Sequence, residues 1–297
     1  MNIELASRHT PGANVSRTAD GWRMDIPAGP RRVYRLAQMD DYMNLPRRSF
    51  PWDPSTACPP AATNNHREET KHAKSIFVSA KDTSRSSPLR GSKTPREPRG
   101  VAFSLRARLS ASNLPGTWGF GLWNDPFGFA IGFGGTARRL PALPNTAWFF
   151  HASPENYLSL HIDTPANGFF AGMFRSPRWP TPLLAPALLA LPFLALRPAS
   201  RLLRRLASRL IQQDGSAVSV DVTQWHEYSI RWQAGAVLFF VDGVEILRTP
   251  LAPRGPLGLV LWIDNQYAAW RPDGSLGYGT LANPAAWLEI KNIVTSG

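Results

Sequence analysis

From residue 101 onward the chain is built of short apolar runs cut apart by turn residues, and that rhythm constrains it more than anything else. Residues 101–109 (VAFSLRARL) alternate apolar and polar one by one, as a half-buried strand does. Runs at 117–123, 127–133, 147–150, 157–162 and 168–174 follow, rich in aromatic residues and glycine. Later runs stand at 217–222, 227–232, 237–241, 244–248, 258–263 and 287–294. Asn113–Gly116, Asn124-Asp125-Pro126, Ser153-Pro154 and Pro165–Gly168 supply turns between them. No helix pattern follows each strand, which excludes a βαβ architecture. The expected fold is all-β: a two-sheet antiparallel jelly-roll sandwich with a helical apolar and basic insert.

Upstream, residues 22–26 and 33–39 also alternate, with a Pro- and Gly-containing turn between them. Residues 1–20 lack periodicity and read as a flexible tail. Residues 54–100 are dominated by Pro, Ser, Thr, Lys, Arg and Asn. Such a stretch buries too little to offset its ordering entropy, and it reads as a disordered basic insertion. The domain proper is therefore expected over 21–53 and 101–297, which suits one large sandwich in a chain of 297 residues, 43% hydrophobic. The formal charge of +12 favours anionic partners, unless the basic residues only keep the inserts solvated. No nucleic-acid motif accompanies it, so no specific nucleic acid is expected. Cys58 stands alone, so no intrachain disulfide can form. The start MNIELASRHTPGANV has no apolar core behind a basic segment and is not a secretory leader. A cytoplasmic or peripheral-membrane location is expected.

The second insert, 181–213, changes composition abruptly. Residues 183–196 are almost purely Leu, Ala, Pro and Phe, but fall short of the about 20 apolar residues that a membrane span needs. Residues 201–211 then show helical periodicity. Leu202, Leu203, Leu206, Leu210 and Ile211 are expected on one face, with Arg201, Arg204, Arg205 and Arg209 on the other. One reading is an interfacial anchor, in which Leu188, Leu191, Phe193 and Leu194 enter lipid and those four arginines meet anionic headgroups. The other is a packing element, with its apolar stripe against the domain or a second subunit.

Residues 225–243 read WHEYSIRWQAGAVLFFVDG. Tyr228, Ile230 and Trp232 share one strand face, Gly235 turns the chain, Val237, Phe239 and Val241 return, and Asp242-Gly243 makes a second tight turn. This hairpin resembles the Trp-His-x-Tyr…Trp…Val-Asp-Gly segment of family-sixteen glycoside hydrolases and related concanavalin-A-like and laminin-G-like lectin domains. Residues 115–124 (PGTWGFGLWN) resemble the strand lining their sugar groove, and 287–293 their closing strand. The resemblance implies a jelly roll that binds carbohydrate. The enzymes' Glu-x-Asp-x-x-Glu strand is absent: the corresponding stretch reads NTAWFFHASPE, without paired carboxylates. No catalytic residue is carried over.

Candidate ligand-binding residues are therefore aromatics beside polar groups: Trp118, Trp123, Asn124, Asp125, Trp148, His151, Trp262, Asp264, Asn265, Gln266 and Tyr267, with Trp270 as a further platform. Trp123-Asn124-Asp125 and Trp262–Gln266 each set a tryptophan at a strand end next to acid and amide groups. The expected partner is a carbohydrate or glycolipid, with an anionic membrane surface as a second. The alternative is a hydrolase whose acid pair comes from Asp125, Glu155, Asp163, Asp264 or Asp273, with His151 or His161 carrying protons. No metal-ligand cluster is visible; Ca2+ is the one cofactor the aspartates could hold, and their spacing does not specify it.

Overall fold

The computed structural model describes residues 5–42, 101–126, 142–177, 191–233 and 235–296. Sixteen strands occur among them: β1 (Ala6–His9), β2 (Asn14–Arg17), β3 (Gly21–Ile26), β4 (Leu36–Asp40), β5 (Val101–Leu109), β6 (Thr117–Trp123), β7 (Thr146–Ala152), β8 (Gly168–Arg175), β9 (Gln212–Ala217), β10 (His226–Gln233), β11 (Ala236–Val241), β12 (Val244–Thr249), β13 (Gly258–Asp264), β14 (Gln266–Trp270), β15 (Leu276–Thr280) and β16 (Ala286–Ser296). Two seven-stranded sheets, β1-β4-β13-β6-β7-β8-β9 and β12-β11-β10-β5-β16-β3-β2, form the sandwich, and β14-β15 makes a separate hairpin. Their neighbours are antiparallel throughout, as the alternation requires.

The core between the sheets is filled by the inward residue of each alternating pair. Phe103, Leu105, Ala107 and Leu109 of β5 meet Trp118, Phe120 and Leu122 of β6, together with Phe149, Tyr228, Phe239, Leu259 and Leu261. The Tyr228 ring lies 4.9 Å from Phe120 and 5.1 Å from Phe149, edge-on or tilted. The expected turn after Val241 is present, with Asp242 and Gly243 at φ 49° and 79°. Two consecutive positive φ angles match the twist of the flanking strands.

Several sequence expectations differ from the structure. Residues 1–20, read as a loose tail, contain the edge strands β1 and β2, which pair with β4 and β3. Their short polar alternation suits an edge, and Arg8 anchors β1 by a 2.9 Å ion pair to the fully buried Asp40. Residues 157–162 form a loop rather than a strand, because their backbone is held by side chains: Gln213 Oε1 accepts from Leu160 N at 2.8 Å. Strand β9 ends where the pattern had placed a strand start, at Ala217. The β14-β15 hairpin was not foreseen. The run at 127–133, the insertion 54–100 and the apolar stretch through Leu188 lie outside the described residues.

Between β8 and β9, a short 3-10 helix (Leu191–Ala195) leads into α1 (Arg197–Leu210), with Pro198 in its first turn, where a missing N–H costs nothing.

At the junction of β13 and β14, the wholly buried Asn265 ties three segments together. Its Oδ1 accepts from Arg35 N at 2.9 Å, and its Nδ2 donates to Val33 O at 2.9 Å and Leu281 O at 2.8 Å. Removing it leaves buried backbone groups without partners, at about 1–3 kcal/mol each. Asn265→Ala is expected to lower unfolding free energy by about 3 kcal/mol, read from the urea midpoint at unchanged slope.

Candidate functional site

The outward residues of the three central strands build a second aromatic layer. Val260, Trp262 and Asp264 of β13, Trp123 of β6, and Thr146, Trp148 and Phe150 of β7 line one cleft of about 530 Å3. Leu36 and Gln38 of β4 extend it on one side and Phe174 on the other, and Tyr267 and Trp270 of the β14-β15 hairpin wall its end.

Two glycines of β6 fit beside their neighbours only because they lack side chains. A methyl group at Gly119 would stand 2.7 Å from Trp262 Cη2, and one at Gly121 would stand 2.5 Å from the β7 backbone at Ala147 O and Trp148 Cα. The Trp262 ring lies over Gly119, and the Trp262 and Trp148 rings are 5.7 Å apart. Trp123 meets Trp148 edge-on at 4.1 Å, and Phe150 meets Trp262 at 5.1 Å. Among the described residues the buried indole N–H groups of Trp123 and Trp148 have no acceptor.

Asp264 closes the polar end. Its Oδ1 accepts three bonds: Thr117 N at 3.2 Å, Thr117 Oγ1 at 2.9 Å and Gln266 N at 3.0 Å. Trp262 Nε1 donates to the same Thr117 hydroxyl at 3.0 Å, which couples the indole to the carboxyl group. Oδ2 takes part in none of these bonds. Burial raises the Asp264 pKa to about 7, against the opposing pull of the three donors. Burial, reinforced by the Asp264 charge, also pushes the Tyr34 hydroxyl, on the same cleft wall, far above its ordinary value.

The sequence candidates divide by strand face. Trp123, Asp125, Trp148, Trp262, Asp264, Gln266, Tyr267 and Trp270 line the cleft. Trp118 and His151 do not: they point into the sandwich, stacked at 5.2 Å with nearly parallel rings. Burial lowers the His151 pKa to about 4, so its ring is neutral at pH 7. Asn124 is buried in a loop clamp, donating to Leu143 O and accepting from Asn145 N. Asn265 is the clamp already described. Phe150, Phe174, Tyr34 and Gln38 are cleft residues that the sequence reading passed over. The strand period signals one of them, since Phe150 stands two residues after Trp148.

The candidate acids do not converge. Glu155, Asp163 and Asp273 are exposed, away from the cleft. Asp264 pairs with Thr117 at one end of β6, and Asp125 follows Trp123 at the other. Six residues of strand separate those ends, about 20 Å at about 3.3 Å per residue. A retaining pair needs about 5–5.5 Å and an inverting pair about 6.5–9.5 Å. Among the described residues, no three His, Cys, Asp or Glu side chains cluster as a metal site.

Helix α1 borders the cleft with its polar side inward. Ser200 accepts from Trp270 Nε1 at 2.9 Å. Arg204, expected to face lipid, is instead buried against the domain, donating to Ser159 O at 2.8 Å and Leu160 O at 3.2 Å, with its guanidinium over the Tyr157 ring. Two open loop carbonyls take the two terminal nitrogens of the buried guanidinium, so Arg204 is the one of the four arginines that turns inward, while Leu203 and Leu210 are half-buried and Ile211 is buried. Outward stand Leu202 (57% exposed) and Leu206 (50%), continued by Phe193 (56%) and Leu196 (59%). Arg201, Arg205 and Arg209 are exposed beside them, while Leu194 is half-buried. No described helix is long and apolar enough to cross a membrane.

No protein-family profile and no curated protein matches this chain. Among solved structures it is similar to a Bacteroides ovatus mixed-linkage-glucan family-16 glycoside hydrolase with bound product, at 7% identity and TM-score 0.44 over 98% of this chain and 94% of that one. A legume lectin-like domain from Entamoeba histolytica gives 5% identity and TM-score 0.42 over 98% and 89%. Carbohydrate-binding module 66 of Bacillus subtilis gives 6% and 0.35 over 98% and 95%. The architecture stated above rests on the sheet order itself.

The raised Asp264 pKa has a consequence for stability. In the unfolded chain the group titrates near 3.9, and in the folded chain at about 7. The folded state therefore holds the proton more tightly, and the stability this contributes is full below about pH 4 and lost as pH rises through about 7. Asp264→Asn is expected to remove that decline. In urea titrations from pH 4 to 8, wild type minus variant should fall with rising pH and level off above pH 7; a flat difference would refute the shift.

Proposed function

We propose that the chain is a carbohydrate or glycoconjugate recognition module, binding in the aromatic cleft and held at an anionic membrane surface by the outer face of α1. One observation carries the first part: Trp123, Trp148, Trp262 and Tyr267 share one cleft with Asp264 and Gln266. Apolar walls with a few fixed polar groups are what an orienting small-molecule site requires. Pyranose rings offer an apolar C–H face for the indoles and hydroxyl groups for Asp264 and Gln266.

A glycoside hydrolase-like activity is the second reading, favoured by a single observation. The Asp264 carboxyl titrates near neutrality, as a general acid should. The separation of Asp125 from Asp264 opposes it, because the two could not flank one glycosidic bond. Trp262→Ala and Asp264→Asn are each expected to weaken binding of the glycan best retained on an oligosaccharide array by at least about tenfold, about 1.4 kcal/mol, by isothermal titration. Release of reducing ends by wild type, abolished in Asp264→Asn, would establish the hydrolase instead.

For the membrane contact the supporting feature is the exposed Leu202, Leu206, Phe193 and Leu196 beside Arg201, Arg205 and Arg209. Apolar groups entering the headgroup boundary and arginines near acidic lipid, at about 1 kcal/mol each, act together. The protein is expected to co-sediment with phosphatidylserine vesicles at low salt and to be released at high salt. The triple variant Arg201→Glu/Arg205→Glu/Arg209→Glu should stay in the supernatant. Equal sedimentation with neutral vesicles would sink the electrostatic half of this reading.

A further inference from the structure

We infer that the cleft takes an amphiphile lengthwise, a sugar headgroup at the Asp264 end with an apolar chain lying along the indoles, rather than a soluble oligosaccharide. The inference rests on the carbohydrate reading and names the ligand class of that same site.

It follows from which polar groups in the cleft are already spent. Gln38 Nε2 donates to Asp40 at 2.8 Å, which leaves its Oε1 at the β4 side of the cleft, and the Thr146 hydroxyl donates to Leu122 O at 2.8 Å. Asn156 accepts from Ala268 N at 2.9 Å and donates to Ser153 at 3.2 Å. The Thr117 hydroxyl is held between Trp262 and Asp264. What remains among the described residues at the hairpin end is Asp264 Oδ2 with the side chains of Gln266 and Tyr267, three residues from the end of β13 and the start of β14. From there toward Gly258, the register partner of Trp123, the wall is Trp262, Phe150, Trp148, Val260 and Trp123. That stretch runs about 20 Å along the strands, and among the described residues its wall is ring and aliphatic carbon, with the Trp123 and Trp148 indole N–H groups buried and Gln38 at one side. Asp125 lies at its far end near Tyr42, whose hydroxyl pKa burial and the Asp125 charge both raise.

An oligosaccharide laid along this wall would bring hydroxyls into the cleft at every ring, and each one desolvated without a partner costs binding energy. An alkyl chain brings none. The inward face of α1, whose outer face carries the exposed ridge, also borders the cleft. Trp270 lines the cleft and bonds Ser200 of the helix, and Leu160 lines it while its carbonyl holds Arg204. A chain drawn from a lipid surface would enter at that border.

The test is tryptophan fluorescence titration of the full chain with hexyl, octyl and decyl β-glucoside, each below its micelle concentration. Cellotetraose and decanol serve as the soluble-glycan and plain-chain arms. The expected result is an affinity gain of about fourfold per added methylene. Decyl glucoside should also bind at least tenfold more tightly than either cellotetraose or decanol. Asp264→Asn should narrow the preference for decyl glucoside over decanol while leaving the increment per methylene unchanged. Cellotetraose binding as tightly as decyl glucoside, with no chain-length dependence, overturns the amphiphile and leaves carbohydrate recognition standing. Decanol binding as tightly as decyl glucoside overturns both, as does a flat titration in every arm.

Discussion

Trp262 lies over a strand that gives its ring room because Gly119 carries no side chain on that face. The inward residues of the same strand, Trp118, Phe120 and Leu122, are committed to the sandwich core. Strand β6 thus has one face that holds the two sheets together and one that is nearly absent. The placing of the Trp262 ring over β6, and with it one wall of the cleft, follows from that asymmetry, while the β13 register sets Asp264 beside Thr117 at the end.

The polar end depends on the same packing. Asp264 is too buried to carry its charge cheaply, yet its Oδ1 is fixed by Thr117 and Gln266. Trp262 completes the arrangement by donating to the Thr117 hydroxyl. Ring and carboxyl are therefore positioned as one unit, and disturbing the tilt of Trp262 disturbs the hydrogen bonding of Asp264. A carboxyl group balanced between burial and three donors titrates near neutrality, so it can donate or accept a hydrogen bond within the physiological range.

Much of this was legible in the chain. The alternation of 101–109, the Asp242-Gly243 turn and the paired aromatic runs lead to an antiparallel sandwich, because period two and turn chemistry are local properties. The cleft was half legible. Trp262 and Asp264 stand two apart and share a face; Trp118 and Trp123 stand five apart on one strand and cannot. The same parity separates Trp148 from His151. Asn124 and Asn265 look in sequence like ligand-orienting amides, and they are clamps because the carbonyls they hold come from distant segments. The spacing of Asp125 and Asp264 is likewise a matter of register, which a single sequence does not display.

Helix α1 shows where pattern alone misleads. Its periodicity separates leucines from arginines, and the ordinary inference puts leucines inward. The loop carrying Ser159 and Leu160 presents open carbonyls instead, and Trp270 presents an indole N–H, so the helix docks through Arg204 and Ser200. Once those polar contacts fix the rotation, Leu202 and Leu206 have no choice but to face outward. The exposed apolar ridge is thus a consequence of how the cleft wall is satisfied: the groups that fix the helix rotation, Trp270 and the loop at Leu160, are themselves walls of the cleft.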